Sequence, residues 1–217
     1  MIKTLLRAAT AAALTVLPLT MTTPAHAAET VSLSEAVASL PQATESRDGY
    51  QRTSFKHWNA GKFDDGCNTR MEVLIAEAVD APEILPGCKL SGGRWWSYYD
   101  AKWVTSAGAL DVDHMVPLAE AWDSGASQWS AKRREAYAND LDADTSLVAV
   151  TAASNRSKAD KDPSEWLPNP EVTCRYASEW TGDKKRWGLT VDAAELAALT
   201  RLAEACPNTT VEYEPAP

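Results

Sequence analysis

Apolar positions recur at helical spacing most clearly near the C-terminal end. Leu196, Leu199 and Leu202 predict an amphipathic helix over Val191–Ala205. A second helix is expected over Thr69–Val79, where Met71, Leu74, Ile75 and Ala78 share a face and Asn68 or Thr69 can cap the start. Leu118–Trp122 reads as a short helix, and Ser130–Asp140 as a charged one capped by Ser130. Strand patterns fall at Arg94–Tyr99, Trp103-Val104, Ala109–Val112 and Leu147–Thr151. Ser154 opens a turn or helix that ends at Asp162-Pro163. Before Tyr50 the pattern thins. Val31, Leu33, Val37 and Leu40 form one short apolar set ending at Pro41, which suggests a short helix or loose arm over 28–49. Pro207–Pro217 has three prolines and no apolar period, and is expected to be a disordered tail. The folded unit is therefore expected over 50–206 as a single domain. Its mixed order of elements argues for an α+β fold rather than a doubly wound sheet.

The N-terminal pattern changes the setting. Lys3 and Arg7, the apolar run Ala8–Leu19 and the small residues Ala25-His26-Ala27 have the layout of a secretory signal peptide over 1–27. That run is too short for a stable membrane span, and no later apolar stretch approaches one. The expectation is a secreted protein with no membrane attachment after cleavage. The chain carries 21 basic and 30 acidic residues, or −9; without Lys3 and Arg7 the balance is 19 against 30, or −11. Such a balance excludes coating nucleic acid through bulk positive charge. Any phosphate chemistry must use a local basic patch or a metal. Beyond residue 27 only His57 and His114 remain, too few for a three-histidine metal site.

Secretion also colours the cysteines. Cys67, Cys88, Cys174 and Cys206 allow three pairings, of which Cys67–Cys88 with Cys174–Cys206 is favoured because each closes a local loop. A four-thiolate zinc site is the rival, but no C-x-x-C spacing supports it.

The polar chemistry concentrates in Asp111–Leu118 and Ser154–Asp162. Asp113 and Asn155 offer hard oxygen ligands suited to Mg²⁺ or Mn²⁺. His114 beside them can take a proton from an attacking water. Arg156, Lys158 and Lys161 are placed to neutralise phosphates. Neighbours on a strand point to opposite faces, so Asp113 and His114 converge only if the backbone breaks near Pro117. Around this set, Asp111 is either a solvated strand end or support for the site. Arg70 either pairs with Glu72 or lies in the phosphate path. His57 between Lys56 and Trp58 reads as packing or hydrogen bonding, with a phosphate contact as the alternative. Lys132-Arg133-Arg134 and Lys184-Lys185-Arg186 read as solvated faces, with nucleic-acid contact as the alternative.

The stretch Asp111-Val112-Asp113-His114-Met115-Val116-Pro117-Leu118, a strand, then Ser154-Asn155-Arg156-Ser157-Lys158 resembles the HNH nuclease family with its ββα-metal fold. The blocks Lys56-His57-Trp58, Asp65–Arg70, Gly93-Arg94-Trp95, Ser97–Asp100 and Lys161–Pro168 resemble, more narrowly, its secreted bacterial members over about Tyr50 to Cys206. The resemblance implies a small ββα core at about 109–168 in a disulfide-stapled domain with additional helices. It makes Asp113 and Asn155 the ligands of one divalent ion and His114 the general base. Ser146 stands where the family's middle Asn usually braces the loop, and Asn139 is the alternative brace. The implied function is a secreted, metal-dependent endonuclease that cuts the phosphodiester bonds of DNA, or of RNA, with low sequence specificity. No stable protein partner is inferred. The competing reading is a non-catalytic secreted module that uses the aromatic segment Arg94–Trp103 on wall glycans. A serine hydrolase or zinc peptidase lacks its motif, since neither G-x-S-x-G nor H-E-x-x-H occurs.

Overall fold

A computed structural model describes residues 28–217, so the expected signal segment at 1–27 lies outside the described residues. The first half runs β1 (Glu29–Ser32), α1 (Leu33–Ala38), α2 (Thr69–Ala76), β2 (Glu83–Leu85), β3 (Lys89–Ser91), β4 (Trp95–Ser97) and β5 (Lys102–Val104). The second runs β6 (Leu110–His114), α3 (Leu118–Asp123), α4 (Ala131–Ala138), β7 (Leu147–Thr151), α5 (Ala152–Lys158), α6 (Thr173–Trp187), α7 (Ala193–Ala205) and β8 (Thr210–Tyr213). The strands form four antiparallel pairs, β1–β8, β2–β3, β4–β5 and β6–β7. This is a small α+β domain with two disulfides, Cys67–Cys88 and Cys174–Cys206, the favoured local pairing.

Most helices begin where a side chain satisfies the free amides of the first turn. Asn68 accepts from Met71 N, Ser130 from Arg133 N, Thr151 from Ser154 N and Asp192 from Glu195 N. α2 stops three residues before the predicted Val79, because Val79 N and Asp80 N both donate to Arg94 O. α5 stops at Lys158, after which Ala159 turns to a φ of 54°.

Of the two readings of 28–49 the short helix is the one found, as α1. The expectation of a disordered tail at 207–217 and of a folded unit confined to 50–206 is corrected: β1 pairs with β8 from Glu29↔Tyr213 to Ser32↔Thr210. Leu33, Ala36, Val37 and Leu40 are buried in the main core, as is Val211. Neither strand has a partner nearby in sequence, so neither end shows its role in local pattern.

α6 is a 15-residue helix that no apolar stripe announced, because much of what it buries is charged. Lys184 has 0% exposure and donates to Glu120, Ser124, the Thr190 carbonyl and Glu195 at 2.7–2.8 Å. Arg186 grips Asp140 with Nε at 2.6 Å and Nη2 at 2.9 Å. The reading of Lys184-Lys185-Arg186 as a solvated face is thus corrected; only Lys185 points outward. Lys132-Arg133-Arg134 is largely spent as well. Arg133 binds the Pro217 and Trp187 carbonyls, and Arg134 those of Ser54, Ala126 and Trp129.

The β6–β7 hairpin lies between two apolar clusters. Leu110, Val112, Leu147 and Ala149 join Val73, Leu74 and Trp95 on one side, while Val148 and Val150 join Tyr176 and Trp180 on the other. Among the described residues no helix is long and apolar enough to cross a membrane.

Asp183 of α6 accepts from Ser146 Oγ at 2.8 Å, and burial pushes its carboxyl from 3.8 up to about 7. The folded state therefore binds this proton more tightly than the unfolded chain. Its stabilisation is complete below about pH 4 and is lost as pH rises toward 7. Asp183→Asn should flatten this part of the profile: the fall in urea-unfolding free energy between pH 4.5 and 7.5 should shrink relative to wild type. An unchanged fall would exclude Asp183 as its source.

Candidate active site

A cleft of about 390 Å³ opens at the end of β6, lined by Tyr50, Arg52, Asp113, His114, Asn155 and Arg156 among others. The register Asp113↔Val148 and His114↔Leu147 puts the two side chains on opposite faces of the hairpin, as strand geometry requires. Both still line the cleft, because β6 ends at His114 and the chain turns toward Pro117.

His114 is clamped. Its Nε2 lies 3.0 Å from the Ala138 carbonyl at the end of α4. A carbonyl can only accept, so Nε2 carries the hydrogen and Nδ1 is the lone-pair nitrogen. The ring lies between Trp58, stacked at 5.3 Å between centroids, and Tyr137 at 6.3 Å. Trp58 holds this position with a φ of 58°, a conformation that is strained for an aromatic residue. Burial pushes the imidazole down to about 3, so it is neutral at neutral pH.

Asp113 is held through one oxygen. Its Oδ2 accepts from Lys158 Nζ at 2.6 Å and from the Tyr99 hydroxyl at 2.8 Å. Burial raises its carboxyl, and the Lys158 charge opposes that rise. Asn155 donates its Nδ2 to Asp111 Oδ2 at 3.1 Å, which fixes the amide and leaves its carbonyl oxygen free. Asp111 is thus tied to the Asn155 amide rather than ending a strand in solvent. The oxygens left over, Oδ1 of Asp113 and Oδ1 of Asn155, are hard donors of the kind Mg²⁺ and Mn²⁺ take.

The expected phosphate cations divide. Arg156 is exposed and lines the cleft. Lys158 does not face it: the residue is 0% exposed and also donates to the His114 carbonyl at 2.9 Å. A lysine at the last turn of α5 points back under β6, and the buried Asp113 carboxylate captures it. Lys161 folds back onto the Ser157 carbonyl at 3.0 Å. Arg70 is neither paired with Glu72 nor in the cleft; its Nη2 donates to the Leu110 carbonyl at 2.9 Å, steadying the start of β6. Glu72 instead accepts from the amides of Lys62 and Phe63.

Both candidate braces sit next to the histidine. Asn139 follows Ala138 and ties the 56–59 loop, which carries Trp58, through Lys56 O at 2.7 Å and Asn59 N at 3.0 Å. Ser146 O accepts Met115 N at 2.9 Å, while its hydroxyl binds Asp140 and Asp183. His57 bonds the Phe55 carbonyl, in keeping with packing. Sequence reasoning missed Tyr50, Arg52, Trp58 and Tyr99 as site residues. Their only local signal was membership of aromatic and basic blocks far from the Asp-His pair.

A separate acidic cluster lies beneath α3. Ligand oxygens of Glu45, Glu120 and Glu195 come within 4.8 Å of one another, close enough to hold a metal ion. The Lys184 ammonium, 2.8 Å from Glu120 and 2.7 Å from Glu195, already supplies positive charge there.

The β6–β7 hairpin followed by α5, with Asp-His closing the first strand and Asn on the helix, is the ββα unit of an HNH-like nuclease fold. The chain belongs to the family of GmrSD restriction endonucleases, C-terminal domain, whose model matches residues 87–202. It is 36% identical over 176 residues to an uncharacterized secreted protein of Arthroderma benhamiae, covering 81% of this chain and 83% of that one. No solved structure matches the chain.

Lys158 and Asp113 form a buried pair, and removing one partner strands the other charge. Lys158→Met should cost roughly 3–5 kcal/mol in urea unfolding at pH 7. Adding Asp113→Asn should recover part of it, since Tyr99 can still donate to an amide oxygen. A single-variant loss below about 1 kcal/mol would mean that the pair is not a structural requirement.

Proposed function

We propose that this protein is a secreted, metal-dependent endonuclease that hydrolyses the phosphodiester backbone of DNA, or of RNA, with little sequence preference. The observation that carries the reading is the state of His114: Nε2 is occupied by the Ala138 carbonyl, and Nδ1 is left as the acceptor at a cleft shared with Asp113 and Asn155. Asp113 and Asn155 would hold one divalent ion, Mg²⁺ or Mn²⁺, through their uncommitted oxygens. When bound, that ion supplies Lewis-acid stabilisation of charge on the phosphoryl oxygens and the departing O3′. His114 Nδ1 takes a proton from water as the water oxygen bonds to phosphorus. The P–O3′ bond breaks, O3′ takes a proton from solvent, and the product carries a 5′ phosphate. A phosphodiester entering the cleft brings negative charge beside the imidazole and raises its low proton affinity toward the working range.

The other residues serve geometry. Trp58 and Tyr137 hold the ring plane, Asn139 holds the loop that carries Trp58, and Ser146 holds the strand end. Lys158 and Tyr99 fix the rotamer of Asp113, and Asp111 that of Asn155. Arg156 receives phosphate at the cleft rim. Contacts of this kind go to backbone rather than bases, which is why weak sequence preference is expected. Secretion rests on the layout of residues 1–27. The competing binding-module reading draws on the exposed pair Trp96 and Trp103, with Arg94 stacked at 4.2 Å on Trp103.

Plasmid digestion separates the two. Wild type should nick and linearise plasmid in Mg²⁺ or Mn²⁺ and be silent in EDTA. His114→Ala should lose at least about a hundredfold in rate while keeping its fold and disulfides. Full metal-dependent activity in that variant would overturn the mechanism, and an inert wild type would favour the binding module.

A further inference from the structure

Arg52 stands out among the basic residues around the cleft. Arg47 is committed to Asp123 and Asp160, both at 2.6 Å, Lys56 to Glu135 at 3.0 Å, and Lys158 to Asp113 at 2.6 Å. Among the described residues Arg52 makes no ion pair, although this chain has 30 acidic side chains. It is exposed, lines the same cleft as His114 and lies beside the Tyr50 hydroxyl. Arg156 is the other exposed arginine on that lining, and it too makes no ion pair among the described residues.

The backbone that carries Arg52 is firmly rooted. Arg52–Ser54 is a single tight turn, with Phe55 N bonded to the Arg52 carbonyl at 3.1 Å and the Phe55 ring fully buried. Arg134 Nε holds the Ser54 carbonyl at 3.2 Å. Upstream, Arg47 spans α3 and the segment after α5, and Trp122 Nε1 donates to the Asp48 carbonyl at 3.1 Å. The segment 47–54 thus contributes Tyr50 and Arg52 to the cleft lining, to which α5 contributes Asn155 and Arg156. It lies outside the residues that the family model matches.

We propose that Arg52 is a second phosphate-binding residue, so that a nucleic-acid strand is received by Arg52 and Arg156 together. A guanidinium fork without a carboxylate partner suits the paired oxygens of a phosphodiester. Two such forks at one cleft supply the local positive charge that a chain of net −9 otherwise lacks. This rests on the nuclease reading for its ligand class, but binding can be measured without cleavage.

The test is binding of a fluorescein-labelled 20-base-pair duplex in EDTA, followed by anisotropy between 50 and 200 mM salt. Wild type, Arg52→Ala, Arg52→Lys and Arg156→Ala are compared, with Arg201→Ala on α7 as the control for bulk charge. Arg52→Ala should bind more weakly and lose about one phosphate contact from the salt slope. Over that fourfold salt range it should shed about threefold less affinity than wild type. Arg52→Lys should recover the slope in part, and Arg201→Ala should match wild type. An Arg52→Ala slope and affinity equal to those of wild type would overturn the proposal, as would a wild type that binds no duplex. If wild type binds and Arg52→Ala shows the loss, the proposal stands even if no cleavage is detected, and only the catalytic reading fails.

Discussion

Lys158 has no exposure to water, and its ammonium is satisfied by the Asp113 carboxylate and the His114 carbonyl. A buried charge is tolerable only when its partners are fixed, so this contact sets the relation of α5 to β6. It thereby sets the relation of Asn155 to Asp113 and of both to His114. The same constraint recurs at Lys184 with Glu120 and Glu195, and at Arg186 with Asp140. Charges that would ordinarily face solvent are used here as internal ties between segments distant in sequence. The pairs offer little net stabilisation over apolar packing, but each is costly to break, which ties the site's geometry to the integrity of the fold.

The polar groups at and around the cleft come from three sources. The β6–β7–α5 unit contributes Asp113, His114, Asn155 and Arg156. The end of α4 contributes the Ala138 carbonyl that sets the tautomer of His114, and Asn139, which holds the loop carrying Trp58. The segment before Phe55 contributes Tyr50 and Arg52. The portion matched by the family model, 87–202, holds the first two sources but not the third. The chain ends close the structure from outside, as β1 pairs with β8 and α1 packs on α6 and α7.

Much of the local architecture is legible in the sequence. The strand Leu147–Thr151 has the predicted bounds, Ser130 caps the helix it was expected to cap, and of the two candidates Asn68 and Thr69 it is Asn68 that caps α2. The helices that were read correctly have an apolar stripe or a strong cap. α6 has neither in usable form: its inward face carries Glu179, Asp183, Lys184 and Arg186, which a binary pattern counts as outside. Lys158 departs from its expected place for the same reason. Arg156 and Lys158 sit two residues apart on one helix, yet one reaches the cleft and the other is buried.

What the sequence determined by itself is whatever depends on near neighbours: the order of strand, Asp-His, strand and Asn, the caps, a preference for the local disulfide pairing that the structure then shows, and the presence of hard oxygen donors beside an imidazole. What only the tertiary structure decided is which groups are already satisfied. Lys158 is withdrawn by Asp113 across 45 residues, and Arg186 by Asp140 across 46. Trp58 meets His114, and β1 meets β8, across longer stretches still. A charged side chain takes whichever partner the folded chain brings within hydrogen-bond reach, and local spacing carries no record of that partner.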